Sequence, residues 1–238
     1  MSEESKSKKT RGVVDIVFLI DATGSMEPCI DALKKNISVF VDSMTTKSQA
    51  NPVRDWRAKV VGYRDFLDAE APPLEDNLFV TEPDKLKLQL SSLEAYGGGD
   101  EPESLLDAIH HVANMGQSER GAQELDPNKW RYRSNAARVL IVFTDATYHP
   151  TTKDGGTFDD IHLSCTSNRI LLFIFAPELP CYDQLASIDK SEYEAIVIEG
   201  SESPVQALAR YTQDTEAFKQ AMEMLGKSVS ASADVPEL

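Results

Sequence analysis

The stretch VVDIVFLIDATGSMEPCIDALKKNISVFVDSM, residues 13–44, decides how this chain folds. Its first eight residues are nearly all Val, Ile, Leu or Phe, the composition of a strand covered on both faces. The run stops at Asp21, Gly24 lets the backbone bend closely, and Pro28 suits the first turn of a helix. From there Ile30, Leu33, Ile37, Phe40, Val41 and Met44 recur at helical spacing and make one apolar stripe. A buried strand, an acidic turn and an amphipathic helix form the opening of a parallel β–α unit.

The same alternation continues outward. Further strand-type runs are WRAKVVGY (56–63), RVLIVFT (138–144), RILLFIF (169–175) and EAIVIE (194–199). Between them, 102–115 is a helix marked by Leu105, Leu106, Ile109 and Val112, and a last helix covers about 204–225, marked by Val205, Leu208, Phe218 and Leu225. Segment 84–94 reads as a helix, although its KLKLQL alternation also suits an edge strand. The fold class is therefore α/β, with a mainly parallel sheet that has room for an antiparallel edge. A single domain over 12–226 is expected, with a polar, exposed insertion at 116–135 and frayed tails at 1–11 and 227–238.

Composition narrows the function. Among 238 residues, 24 Lys and Arg face 39 Asp and Glu, a formal charge of −15. Phosphate neutralisation needs the opposite surplus, so nucleic acid is not an expected partner. Anionic lipid is disfavoured for the same reason. The start, MSEESKSKKTRG, lacks the apolar core of a secretory signal, and the run 13–20 is too short and too charged to span a bilayer. Cys29, Cys165 and Cys181 are an odd number, far apart, without CxxC spacing. A reducing, cytoplasmic location is the expectation. Adjacent His110 and His111 point to different faces of a helix and are surface or boundary residues.

Ligands of doubly wound sheets bind where strands turn into helices at their carboxyl ends. After the first strand comes Asp21-Ala22-Thr23-Gly24-Ser25, whose carboxylate and two hydroxyls alternate along the turn and can face one point. Gly97-Gly98-Gly99-Asp100 precedes the helix at 102–115, and Thr144-Asp145-Ala146-Thr147 follows the strand at 138–144. Oxygen donors drawn from three loops suit a hard cation such as Mg²⁺. Each piece also has a plain reading. Asp21 and Asp145 start turns, Ser25 caps the following helix, and Asp100 with Glu103 makes a capping box. For Asp100 capping and metal contact weigh equally; for Asp21-x-Thr-x-Ser after a buried strand the metal reading is favoured. Arg64 reads as tied down by a neighbouring acid. Trp130 and Tyr132 are either an exposed partner surface or anchors pinning the insertion to the core.

With these motifs in place, residues 13–225 resemble a von Willebrand factor type A domain, and DATGSM resembles the first motif of its metal-ion-dependent adhesion site, Asp-x-Ser/Thr-x-Ser. The resemblance implies a six-stranded sheet with helices on both faces and Mg²⁺ or Mn²⁺ held by Asp21, Thr23, Ser25 and Asp145. The family usually supplies a Thr from the middle loop; here that loop reads Gly-Gly-Gly-Asp-Glu-Pro-Glu, so Asp100 is the implied substitute. A carboxylate replacing a hydroxyl should raise the affinity for the ion and weaken its pull on an incoming acid.

The resemblance implies a non-enzymatic module in which a partner's acidic side chain completes the metal shell, in an assembly with an AAA+ ATPase or a kinase or phosphatase module. Two other readings compete. A haloacid-dehalogenase-type Mg²⁺ phosphatase also places Asp after a first buried strand, but its general acid would fall at Thr23, which cannot serve at neutral pH. A scaffold with a purely structural metal would bind its partner through 116–135. Nucleotide binding is disfavoured, since Gly97-Gly98-Gly99 belongs to neither GxGxxG nor a P-loop.

Overall fold

Strand β1 (Val13–Asp21) lies at the heart of the sheet, between parallel neighbours β2 (Asp55–Tyr63) and β4 (Ala137–Phe143). A computed structural model of the chain describes residues 12–46, 53–67, 72–98 and 101–233. Within them, the order is β3-β2-β1-β4-β5-β6, with β3 at Leu74–Asp76, β5 at Ile170–Pro177 and β6 at Ser191–Ile196. All pairings are parallel except β2 with β3, so the antiparallel edge is real.

Two apolar layers explain why the central strands lack alternation. On one face Val14, Ile16, Phe18 and Ile20 pack against α1 (Glu27–Thr45), α2 (Pro83–Ser92), α6 (Pro204–Gln213) and α7 (Thr215–Ser232). On the other, Val17 and Leu19 pack against α3 (Leu105–Ala113), α4 (Phe158–Asn168) and α5 (Pro180–Ala186). Helices α1 and α7 approach closely at Gly226, where a Cβ would stand 2.8 Å from the Phe40 carbonyl oxygen. The expected α1 stripe is buried throughout, and segment 84–94 resolves as helix rather than strand.

Several expected boundaries are corrected. The single helix at 204–225 is two, because Asp214 is extended and its side chain accepts from the Ala217 amide, starting α7 afresh. Helix α7 then runs to Ser232 and buries Val229, so 227–232 is part of the domain rather than a frayed tail. The tail at 1–11 and residues 234–238 lie outside the described residues. Strand β6 sits three residues before the apolar run 194–199, and Val197 is 58% exposed. As an edge strand, β6 is fixed by its register on β5, Leu172 opposite Ser191, rather than by apolar density.

The insertion at 116–135 is exposed only in part. Trp130 is fully buried, donates from Nε1 to the Val112 carbonyl and packs on Phe79 at 5.5 Å between centroids. Of the two readings, anchoring therefore holds for Trp130. Behind it, charged residues fill the amino-terminal end of the same sheet face. Asp15 in β1 accepts from Arg57 Nε and Nη2, each at 2.8 Å, and from the Arg131 amide at 2.6 Å. Arg131 adds an ion pair to Asp15 at 3.2 Å, and Arg57 donates onward to the Asp126 and Lys129 carbonyls. The insertion is thus fastened to the sheet by buried polar groups that satisfy one another.

Candidate metal centre

Asp21 ends β1 with its side chain fully buried. Its Oδ1 accepts from the Thr23 amide at 2.9 Å and the Thr23 hydroxyl at 2.7 Å; its Oδ2 accepts from the Thr144 hydroxyl at 3.1 Å. The register accounts for this. Ile20 lies opposite Phe143, so the next pair across the sheet is Asp21 and Thr144. Thr23 Oγ1 and Ser25 Oγ are 3.3 Å apart, with Ser25 only half-buried at the rim. The N-cap position of α1 falls on Met26 rather than on Ser25.

Asp145 completes the group from the loop after β4. It is 1% exposed, and neither carboxylate oxygen has a hydrogen-bond partner among the described residues. Burial raises its pKa and the Glu101 charge adds to this; Ser25, near but outside hydrogen-bond geometry, and its own amide pull it part of the way back. Burial first, then the Asp145 charge, push the Asp21 carboxyl up to about 7, against the hydrogen bonds from Thr23 and Thr144. Two buried carboxylates that raise each other's cost of ionisation, with hydroxyls beside them, fit a hard divalent cation, which removes that cost. Cys29 behind the site is pushed far up by burial and by the same two acids, so it remains a thiol and adds no soft ligand. Among the described residues, no three His, Cys, Asp or Glu side chains form a metal-binding group by themselves; the donors here are two carboxylates and hydroxyls.

The loops are held from below by Arg64. It is 1% exposed, pairs with Glu75 at 2.6 Å, and donates to the carbonyls of Ala22, Glu94 and Tyr96. The expected acid partner is present, and the guanidinium also straps the Asp21 turn to the loop before Gly97. Gly24 donates to the Gly97 carbonyl at 3.2 Å, joining the two turns directly. Tyr182 donates to the Ala146 carbonyl and so fixes the loop carrying Asp145.

Of the expected donors, Asp21, Thr23, Ser25 and Asp145 come together, whereas Asp100 lies outside the described residues. The capping box expected of Asp100 and Glu103 is corrected: α3 begins at Leu105, after Ser104. Residues 103–104 are instead drawn onto the 147–149 segment, with the Glu103 amide donating to Thr147 and its carbonyl accepting from His149. Thr144, which the sequence reading quoted with Asp145 without counting it among the donors, and Tyr63 lie level with Asp21 across three strands. Among the described residues the Tyr63 hydroxyl is buried without a hydrogen bond, and burial and the Asp21 charge hold its pKa well above the ordinary value.

Gly98 packs closely against the Asp21 turn at Thr23. Its φ is +74°, and a Cβ there would stand 2.6 Å from Thr23 Cβ. Gly98→Ala is therefore expected to displace Thr23 and weaken Mn²⁺ binding by roughly 10-fold or more while leaving the far-UV spectrum intact. A calorimetric titration showing wild-type affinity would contradict this geometry.

Comparison with known proteins agrees with the first part of the chain. Residues 15–120 match the family model described as von Willebrand factor A domain. They include the Asp21 turn and end before Asp145. The alpha-protein kinase vwkA of Dictyostelium discoideum is 27% identical over 146 residues, 61% of this chain and 20% of the kinase. Two structures of proximal thread matrix protein 1 from the mussel byssus each cover 90% of this chain and 47% of their own. Their identities are 14% and 12%, with TM-scores of 0.49 and 0.46. The chain thus spans about a fifth of the length of the kinase it matches.

Proposed function

We propose that the chain is a non-enzymatic, cation-dependent protein-interaction module, in which Asp21, Thr23, Ser25 and Asp145 hold Mg²⁺ or Mn²⁺ and a partner's acidic side chain completes the shell. The observation that carries this is Asp145, buried beside Asp21 and Ser25 with both oxygens free of hydrogen bonds among the described residues. The ion supplies a local positive charge on an acidic surface, and with it an electrostatic hold on an incoming carboxylate. Thr144 and the Thr23 amide orient Asp21. Half-buried Ser25 places its hydroxyl at the rim, where a partner can approach.

The match to a segment of a protein named as a kinase fits a domain that serves a larger enzymatic assembly, with a kinase or phosphatase module or an AAA+ ATPase as its associate. A cytoplasmic setting agrees with three free cysteines. Among the described residues no helix is long and apolar enough to cross a membrane. At the position where a haloacid-dehalogenase-type enzyme needs its general acid stands Thr23, whose hydroxyl is already engaged with Asp21.

Ser25→Ala tests the reading with little risk to the fold. It is expected to weaken Mn²⁺ binding by about 10-fold or more and to abolish Mg²⁺-dependent capture of partners that chelator also releases. Equal capture with Mg²⁺, with chelator and with the variant would refute a metal-mediated contact. Mg²⁺-dependent phosphatase turnover lost in Asp21→Ala would instead establish an enzyme.

A further inference from the structure

Strand β6 pairs with β5 on one side, and among the described residues no strand follows it on the other. Such an edge offers a row of backbone donors and acceptors to any extended chain that lies beside it. The opposite edge is blunted by its length, since β3 has three residues where β6 has six. Nothing covers β6 closely either: Glu192, Glu194 and Ala195 are exposed.

Register decides what this edge displays. Glu192 lies opposite Phe173 and Glu194 opposite Phe175, so both glutamates stand on the face that carries α7. Beside them runs an open groove of about 340 Å³, walled by Phe173, Phe175, Tyr211 and the 65% exposed Met224. Among the described residues no Lys, Arg or His lines it. Of the cations nearby, Arg210 is held by Glu199 and Glu202, and Lys190 stands before the strand begins.

We propose that β6 is a docking edge for an extended, basic segment of a partner protein, which adds a seventh strand to the sheet. Backbone pairing supplies the hold, and alternate Lys or Arg side chains meet Glu192 and Glu194 while their apolar stems lie along the groove. A second copy of the chain fits poorly, because antiparallel pairing about Tyr193 sets glutamate against glutamate. The docking needs no cation, so it stands apart from the metal-dependent contact proposed above.

A labelled peptide of alternating Lys and Val, titrated into the full chain in chelator and followed by fluorescence anisotropy, tests this. Binding is expected, with slowed amide exchange confined to 191–196. Glu192→Gln with Glu194→Gln, both at exposed positions, is expected to weaken it about 5-fold or more. The fully N-methylated peptide keeps the charge but cannot donate to a ladder, and is expected not to bind. Failure of the parent peptide to bind, equal binding of the methylated one, or wild-type affinity in the double variant each overturns the proposal. Sedimentation that finds a dimer with the 191–196 amides protected assigns the edge to a second copy and overturns it as well.

Discussion

Asp15→Ala is expected to destabilise the domain by about 3–5 kcal/mol, a large share of the roughly 5–15 kcal/mol that a domain has in total. The size follows from what is left behind. Asp15 is fully buried and holds the Arg57 guanidinium through two bonds of 2.8 Å, the Arg131 amide at 2.6 Å and the Arg131 side chain at 3.2 Å. Removing it leaves the Arg57 guanidinium, 4% exposed, without its carboxylate, and leaves Arg131, 8% exposed, with only its pair to the exposed Asp55. It also loosens the insertion, since Arg131 and the carbonyls that Arg57 contacts belong to it. Urea unfolding should show the midpoint falling with little change in slope. Asp31→Ala is the control: its pair with Lys34 is exposed, and about 0–1 kcal/mol is expected. Similar midpoints for the two variants would mean that the buried network contributes no more than a surface pair.

In the presence of chelator, the protein is expected to lose stability as pH rises from about 4 to about 7, by on the order of 4 kcal/mol from Asp21 alone. The Asp21 carboxyl moves from an ordinary 3.8 in the unfolded chain to about 7 in the fold. Between those values the folded state binds more protons than the unfolded one, so each rise in pH favours unfolding. Below the lower value both states are protonated and the effect vanishes; above the upper value the loss is complete. Asp145, also raised, adds in the same direction. Asp21→Asn isolates the effect. Without metal it should be the more stable protein at pH 7.5 and show a flatter profile, yet Mg²⁺ should scarcely raise its Tm. On the proposed reading, saturating Mg²⁺ is expected to restore the stability of the wild type at pH 7.5, because the ion would bind only the folded form. Parallel pH profiles for the two proteins in chelator would show that Asp21 is not held at this elevated pKa.

The central sheet was legible because buried parallel strands have a compositional signature that no neighbour needs to supply. Val14 to Ile20 are covered on both faces, and the apolar run alone indicates it. Edge strand β6 has no such signature; half of it is wet, and only its pairing with β5 places it. The Asp21 turn was legible because strand end, acid, hydroxyls and Gly24 all lie within five residues. Thr144 became part of the site only through cross-strand register. Glu103 reads locally as half of a helix cap, and its displacement from that role depends on Tyr148, far along the chain. Local chemistry thus identifies a site's first loop, while the partners that complete it are set by register and loop pairing.

Strand order also gives the centre a schedule. Asp21 and Thr144 are 123 residues apart in the chain, yet they face each other because β4, not the earlier β2 alone, adjoins β1. During synthesis the Asp21 turn, α1 and β2 emerge first, with one flank of β1 open until β4 arrives. A nascent chain that has reached only α3 carries an acidic turn without Asp145 or Thr144, and so no competent centre. Closing the site is then a long-range, late event whose rate is governed by loop closure across the insertion. On the proposed reading, cation affinity would report that β4 has docked beside β1.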